Sequence, residues 1–597
     1  MRPSLRTTVA ALFLLLVLNS GYIWSLPAPT IFYMGNVLAH LVMGVLLCAL
    51  GAWLLASDRE LRRRLPLALT AVAMAASLAL ALYLVYKGNV RELHSVLQAH
   101  IIASLVAVAG VIAFVAARSP IHVPRAYAAS VLASALVLVA APPAAKAWMK
   151  AHPNPNDRIV NPLVPPLTPS HEGAGPSSPF FPSSANTNVN GIIPSNFFMD
   201  SETCGECHKD IYDQWKSSVH HFASFNNQFY RKSIEYMQSV TGTQSSKWCA
   251  GCHDHAVFFN GRFDTPIKDQ IDTPEAQAGL ACTSCHSITH VEGTMGNGGF
   301  TIEYPPLHEL ASSRNPFIRR VDRFLTYLNP EPHRRTFIKP FMREDQAAYC
   351  SACHKVHLDV PVNDYRWFRG FNDYDNWQAS GVSGQGARSF YYPQQSSTCV
   401  DCHMPLVPSK DQGRHEGDKV HSHLFAAANT AIATANQDDE HLKQTEKFLK
   451  SGFITVDIFA ASPVEEGKGQ TEMRRRAGES QPQLMSTFAV GEEAEQSGPA
   501  VIRDVGKIAA PIDTAQAKFS PGSTVRIDTV VRTRKIGHFF PGGTVDSFDI
   551  WLEMIATDAT GKPVFWSGKV DQDGKGPVEP GAHFYRSYQL DEQGNAI

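Results

Sequence analysis

The stretch CGECHKDIYDQWKSSVHH, residues 204–221, begins with two cysteines that are separated by two residues and followed directly by a histidine. The same C-x-x-C-H arrangement occurs five times and uses all but one of the 11 cysteines in the 597-residue chain. Its members are Cys204, Cys207 and His208; Cys249, Cys252 and His253; Cys282, Cys285 and His286; Cys350, Cys353 and His354; and Cys399, Cys402 and His403. A triplet repeated in this way indicates one chemistry that uses all three side chains each time.

Several chemistries use paired cysteines, and the adjacent histidine separates them. Zinc ribbons have no need for a histidine next to every pair, and a thioredoxin-like redox pair would occur once, near a βαβ pattern. C-x-x-C-H is the attachment sequence of c-type haem, in which two thioethers hold the porphyrin and the histidine binds the iron. The sequence therefore predicts five covalently attached haem c groups, with the five motif histidines as proximal ligands. Cys48 lies in an apolar run, where a free cysteine behaves as a small hydrophobic residue.

Length and composition predict several domains. Net charge is −2, which gives no overall field that would favour a nucleic-acid partner. We divide the chain into a transmembrane domain (1–145), a Pro/Ser-rich linker (146–200), a pentahaem cytochrome c domain (201–450) and a β-domain (451–597). The predicted fold is multidomain: a five-helix transmembrane anchor, a mainly α/irregular multihaem cytochrome c domain and a C-terminal antiparallel β-sandwich.

Five apolar segments near 7–26, 31–56, 65–86, 96–117 and 126–144 are each about long enough to cross a membrane as a helix. The N-terminus and the alternate loops on its side carry eight Lys and Arg residues, whereas the other two loops carry two. The positive-inside rule then places the N-terminus in the cytoplasm and everything after residue 145 on the periplasmic side of a bacterial cytoplasmic membrane. Covalent haem is also attached on that side.

Two histidines lie inside the predicted spans, His40 in the second and His100 in the fourth. An ionisable residue in a span is costly and indicates a function by default. The pair could hold a haem b or line a quinone site. Polar packing between helices and an interfacial position are the alternatives, and the sequence leaves all of these open.

Outside the motifs, three regions have distinct patterns. Residues 146–200, rich in Pro, Ser and Asn, predict an extended linker without a core of its own. A helix is predicted near 438–451, ending before Gly452. Alternating apolar residues near 525–531 and 550–554, with a turn at DATGKP, predict strands of a β-sandwich.

Because the chain ends on the first residues of a predicted strand, we expect the β-domain to lack about two strands or to receive them from a partner, leaving an open edge near 584–597.

The haem region holds little polypeptide for each porphyrin, since five motifs lie between residues 204 and 403. The porphyrins must therefore pack together as the core, which also suits electron transfer between them. Residues 201–425 contain ten further histidines that could supply distal iron ligands: His220, His221, His255, His290, His308, His333, His357, His415, His421 and His423. Irons with two histidine ligands are closed to substrate, and this favours electron transfer.

The residues Trp215, Ser218 and His220 form a W-x-x-S-x-H pattern that resembles the segment after the first motif in the tetrahaem cytochrome c of nitrification and its relatives. The resemblance implies that His220 is a distal ligand, usually to a different haem. The stretches CSACHKVHL, CVDCHMPLVPS, VHSHLFAAANTA and IGHFFPGGTVD resemble a family of bacterial multihaem c-type cytochromes with a C-terminal β-domain. This likeness covers about residues 200–597 and implies electron transfer, without a substrate. Our distal assignment is His220, His290, His333, His357 and His421.

These patterns predict a membrane-anchored pentahaem c-type cytochrome of a respiratory chain. It would transfer electrons between the membrane, as the quinol pool or a respiratory complex, and an extracytoplasmic redox partner protein. We favour an electron-transfer protein over a substrate-converting enzyme and assign no catalytic residue. The alternative is a multihaem oxidoreductase that acts on a small nitrogen or sulfur compound at one five-coordinate haem.

Overall fold

The structure is a computed structural model. It describes residues 4–117, 124–363, 367–387, 394–414, 417–464, 472–474, 500–502, 507–544 and 548–586.

The N-terminal region consists of five long apolar helices: α1 (Leu5–Ser25), α2 (Ile31–Ser57), α3 (Leu65–Lys87), α4 (His94–Ala116) and α5 (Arg125–Ala151). Each is long and apolar enough to cross a membrane. The five predicted spans are therefore confirmed as helices, and α5 continues about two turns beyond its predicted end.

Caps and close packing fix the ends and neighbours of these helices. Ser4 caps α1 by accepting a hydrogen bond from the backbone of Thr7, and Asp58 caps the short helix Arg59–Arg62. Asp58 also pairs with Arg6, which ties the start of α1 to the α2–α3 connection. Helices α3 and α4 approach so closely at Gly110 that a Cβ there would lie 2.3 Å from the hydroxyl of Thr70, as is common for small residues between membrane helices.

Short helices dominate the region of the five motifs, and the core beneath them is aromatic. The helices are Ser201–Gly205, Lys209–Ser217, Gln228–Thr241, Thr243–His253, His255–Phe258, Cys282–His286, His308–Ala311, Pro316–Leu328, Glu331–Phe337, Phe341–Glu344, Gln346–Ser351, Asp373–Ala379, Cys399–His403, Ala431–Ala435 and Asp439–Leu449. The strands are Asn186–Thr187, Ile288–Val291, Phe300–Ile302, Lys355–Leu358, Phe368–Asn372, Leu406–Pro408 and Lys419–His421. The helix predicted near 438–451 is confirmed as Asp439–Leu449, capped by Asp438 and followed by Gly452 at φ 88°.

Residues 169–200 differ from the extended linker that their composition predicts. Phe180, Phe197 and Phe198 are at most 1% exposed and belong to the main aromatic core. The strand Asn186–Thr187 pairs in parallel with Phe300–Ile302. Each of these aromatic rings buries a large apolar area, so three of them outweigh the surrounding Pro and Ser residues.

The C-terminal region consists of small antiparallel sheets. The strand Ile454–Pro463 pairs with Val525–Thr533, and Met554–Thr557 forms the predicted hairpin with Pro563–Ser567. The remaining pairs are Ile550–Leu552 with His583–Tyr585 and Glu472–Arg474 with Ala500–Ile502. Within the described ranges these are two-stranded sheets and do not close a sandwich. The open edge was expected near 584–597. Of these residues, Phe584 and Tyr585 pair with Trp551 and Ile550, and residues 587–597 lie outside the described residues.

The haem-motif region contacts one end of the helical anchor. The hydroxyl of Tyr33, at the start of α2, accepts a hydrogen bond of 2.7 Å from Asn329. In the α3–α4 connection, the backbone of Asn89 donates to the carbonyl of Tyr327 at 2.7 Å, and Glu92 forms an ion pair with Arg414. These contacts use the two loops that carry few basic residues.

Candidate functional site

Three C-x-x-C-H motifs lie within helices. The motifs at 204–208 and 350–354 begin in a helix and continue as a turn, in which the backbone of His208 donates to the Cys204 carbonyl and that of His354 to the Cys350 carbonyl. In the helix Cys282–His286, for example, the two cysteines are three residues apart and the histidine is four residues after the first. Residues at these spacings share one face of a helical turn. Both thiols and the imidazole of one motif are therefore directed to the same side, as attachment to one porphyrin requires.

Every motif histidine has its Nδ1 atom next to an oxygen acceptor. The pairs are His208 with Asp411 Oδ1 at 2.7 Å, His253 with the Ala223 carbonyl at 2.8 Å, His286 with the Phe337 carbonyl at 2.8 Å, His403 with the Ala426 carbonyl at 2.9 Å, and His354 with Asp373 Oδ2 at 3.6 Å. The four contacts of 2.7–2.9 Å are hydrogen bonds that hold the proton on Nδ1, fix the ring and leave Nε2 as the ligating atom. At His354 the carboxylate lies near enough to attract the same proton.

Four of the motif histidines face a second imidazole across a nearly constant gap. The ring centres are 6.3 Å apart for His208 and His333, 6.3 Å for His286 and His423, 6.2 Å for His403 and His538, and 6.2 Å for His354 and His220. A metal–imidazole bond is about 2.0–2.1 Å and the ring centre lies about 1.2 Å behind the nitrogen, so two axial imidazoles on one metal have centres about 6.4 Å apart. The four gaps fit an iron between the rings.

Three of the facing histidines are also in the protonation state that a ligand needs. Burial lowers the pKa of His220 to about 3 and, mainly by the same effect, the pKa values of His333 and His423 to about 4. These imidazoles are therefore neutral at pH 7 and keep a lone pair for a metal. The buried Nδ1 of His220 has no hydrogen-bond partner among the described residues.

A continuous cavity of about 1840 Å³ connects these groups. It is lined by four of the motifs, by all four facing histidines, and by His40 and His100 of the anchor. The thiols, the paired imidazoles and the volume between them together fit covalently attached haem. The motif at 249–253 is not among the residues that line this cavity.

That remaining motif differs from the other four. Among the described residues, no second imidazole faces His253, whose ring instead stacks on Tyr230 with centres 4.4 Å apart. The neighbouring carboxyl of Asp254 is buried, and burial raises its pKa to about 7. It accepts hydrogen bonds from the hydroxyls of Tyr230 and Ser224.

Contacts between cysteines of different motifs show how the sites are arranged. The side chains of Cys204 and Cys282 interact, as do those of Cys350 and Cys399, and those of Cys252 and Cys353. Cys285 lies within electrostatic range of Cys353. The motifs therefore form one connected set, which we call the row. Motifs 282–286 and 350–354 lie in its interior. The row branches at 350–354, so that 204–208, 249–253 and 399–403 are its three ends.

For three histidines assigned from the sequence as distal ligands, the structure gives contacts other than a ring opposite a motif histidine. Nε2 of His357 lies 2.6 Å from Oε1 of Glu172, and Nδ1 of His421 lies 2.8 Å from the Met404 carbonyl. His290 lies on the strand Ile288–Val291, and its ring faces none of the motif histidines. His415 lies outside the described residues.

The structure instead places His423 and His538 opposite motif histidines, beside the assigned His220 and His333. His423 belonged to the pool of candidates, only two residues from His421. His538 lies in the stretch IGHFFPGGTVD, far beyond the region in which distal ligands were sought. The likeness of that stretch to a multihaem family was the signal that could have included it.

A family model described as cytochrome c554 and c-prime matches residues 203–287. The match contains the first three motifs together with Trp215, Ser218 and His220. It supports a c-type cytochrome with covalently bound haem c in this part of the chain. No curated protein and no solved structure matches the chain.

Proposed function

We propose that the chain is a membrane-anchored pentahaem c-type cytochrome that transfers electrons between the membrane and an extracytoplasmic redox partner. The observation that carries the proposal is the set of four imidazole pairs with ring centres 6.2–6.3 Å apart. An iron with two histidine ligands has no free position and exchanges electrons rather than binding substrate. The connected row of motifs supplies the route along which electrons pass.

The distal ligands in this proposal are His333, His220, His423 and His538. The first three come from the haem domain and the fourth from the C-terminal region, which we propose to be a β-sandwich. This region thus completes the haem site of the last motif. The membrane side of the exchange is the quinol pool or a respiratory complex.

Haem content and spin state test this function. We expect mass spectrometry of the denatured, acid–acetone-extracted protein to show five haem additions to the peptide. The oxidised protein should contain four low-spin covalent haems. Three or fewer covalent haems, or a majority of high-spin haems, would contradict the proposal.

The haem-motif region is proposed to lie on the periplasmic side. The anchor contacts that region through the two loops with few basic residues, the loops that the positive-inside rule assigns to the outside. A reporter fused after His152 should be active only if it functions in the periplasm. Activity of a reporter that works only in the cytoplasm would contradict this topology.

A second candidate function is supported by the motif at 249–253. Because His253 faces no second imidazole among the described residues, its haem is the one that could bind a small nitrogen or sulfur compound. In that case the ferrous protein should bind one carbon monoxide per chain. It should also either reduce such a compound with electrons from the row or oxidise it and pass the released electrons to the row. A protein in which all five covalent haems are low-spin would exclude this function.

A further inference from the structure

The anchor contains an imidazole pair with the same spacing as the pairs in the haem-motif region. The rings of His40 on α2 and His100 on α4 have centres 6.5 Å apart and planes inclined by 78°. The pair formed by His220 and His354 has a spacing of 6.2 Å and the same inclination. Metal–imidazole geometry places two axial rings about 6.4 Å apart, so the membrane pair also fits one iron.

The hydrogen bonds of His100 fix which nitrogen is free. Its Nδ1 lies 2.9 Å from the carbonyl and 3.0 Å from the hydroxyl of Ser77. Ser104 donates its hydroxyl proton to the His100 carbonyl, so the Ser77 hydroxyl must donate to Ser104 at 2.8 Å. Nδ1 of His100 is therefore the donor to Ser77, and Nε2 keeps the lone pair.

The same reasoning applies to His40. Its Nδ1 lies 3.3 Å from the hydroxyl of Ser20. That hydroxyl donates its single proton to the carbonyl of Leu16 at 2.7 Å, so Nδ1 of His40 donates and Nε2 keeps the lone pair. Two imidazoles, each oriented by a serine through Nδ1, thus face each other in the anchor.

The space beside the pair is large and mainly apolar. His40 and His100 line the cavity of about 1840 Å³, together with Val37, Leu41, Ile101 and Leu105. Gly44 lies one turn after His40 and also lines the cavity, and a Cβ at this position would meet no atom within 4 Å. Helix α2 therefore leaves room beside the ligand for a flat apolar group.

We propose that His40 and His100 hold one further haem, bound without thioether links. The anchor has no C-x-x-C-H sequence, and its single cysteine, Cys48, cannot supply two thioethers. The group is therefore a b-type haem, an iron protoporphyrin held by its two axial imidazoles and by apolar contacts. The presence of this haem does not depend on the proposed function.

The role of this haem does rest on the proposed function. The first motif is the one tied to the outer end of the anchor, through two contacts. Asp411, which holds His208, lies in the same turn as Arg414, the ion-pair partner of Glu92. Asn329, bonded to Tyr33, precedes the helix that carries His333. The membrane haem is thus placed to exchange one electron at a time with the haem between His208 and His333.

Haem extraction from the full-length protein tests the site. We expect acid–acetone to remove one haem per chain from the unsubstituted protein, with the covalent haems retained. H40A and H100A should each lose the extractable haem and keep the covalent ones, whereas H152A, at the exposed end of α5, should keep both. Covalent haem content reports the proposed function separately, so the two proposals can fail independently.

A second pair of variants avoids removing a ligand. G44F should fill the cavity and abolish the extractable haem. G51F is the matched control, because a Cβ at Gly51 also meets no atom within 4 Å but Gly51 is not a cavity residue. While bound in the unsubstituted protein, the extractable haem should be low-spin when oxidised. Its electron paramagnetic resonance signal should show the single dominant large g value that perpendicular imidazole planes produce, and G44F should lack this signal.

Two results would overturn the proposal. One is an unsubstituted protein without extractable haem, including one that instead contains a bound quinone. The other is extractable haem that remains in H40A and H100A. An amount of extractable haem per chain in G44F equal to that in G51F would count in the same way.

Discussion

Two kinds of site carry the same local sequence in this chain. The motif at 282–286 has a second imidazole, that of His423, with its ring centre 6.3 Å away, whereas the motif at 249–253 has no facing imidazole among the described residues. Both motif histidines donate Nδ1 to a backbone carbonyl at 2.8 Å. In the function proposed above, the C-x-x-C-H sequence decides where haem is attached, and a distant part of the chain decides whether the iron is closed.

This difference between the two sites corresponds to the two functions proposed above. A row of closed irons favours electron transfer, because the coordination does not change on reduction. An open iron in contact with that row could receive electrons and deliver them to a ligand. Removing a facing imidazole should convert a site of the first kind into one of the second.

The largest effect is expected from H423A, since His423 faces a motif in the interior of the row. The oxidised protein should gain one high-spin covalent haem per chain, and the ferrous protein should bind one more carbon monoxide. Electron transfer along the row should also slow, because the coordination of an interior haem then changes on reduction. Optical and electron paramagnetic resonance spectra measure the spin state.

H421A is the matched control, since His421 lies only two residues from His423, and it is the ring of His423 that lies opposite His286. Its spectrum should equal that of the unsubstituted protein. A new high-spin haem in H421A and none in H423A would contradict the geometric assignment and favour the one made from the sequence.

Local and distant features differed in how well the sequence predicted them. The five helices of the anchor and the helix Asp439–Leu449 depend on length, hydropathy and caps, which neighbouring residues supply, and these were predicted correctly. The facing histidines depend on tertiary structure. His208 and His333, like His403 and His538, lie more than 100 residues apart in the chain. No spacing rule connects them in the sequence, so only the folded chain shows which rings lie opposite each other.

The region before the first motif is a second case in which the sequence did not predict tertiary structure. Its composition is that of a linker, yet Phe180, Phe197 and Phe198 fill the aromatic core. Composition averages over a segment, whereas burial is decided by single large side chains. The sequence distance between His40 and His100 likewise gave no sign that their rings face each other.

A smaller effect is expected from H538A, because His403 belongs to a motif at one end of the row. One high-spin haem should again appear, while electron transfer among the other motifs continues. H583A is the control, since His583 is an exposed histidine of the same C-terminal region. If H538A leaves all spectra unchanged, the C-terminal region does not complete a haem site.

The smallest effect concerns the acceptor behind a motif histidine. Only His208 and His354 have carboxylates there, whereas the other three motif histidines donate to backbone carbonyls. The carboxylate of Asp411, 2.7 Å from Nδ1 of His208, makes the imidazole a stronger electron donor and so stabilises ferric iron. D411N keeps the shape of the side chain and removes that charge. We expect it to raise the potential of the first haem by about 30–60 mV, up to about a tenfold change in a one-electron equilibrium, without changing haem content or spin state.

D210N is the matched control, because Asp210 binds the same loop through Ser409 and not through His208. Spectroscopic redox titration measures both variants. A shift of equal size in D210N would show that the loop position, rather than the hydrogen bond to His208, sets the potential of this haem.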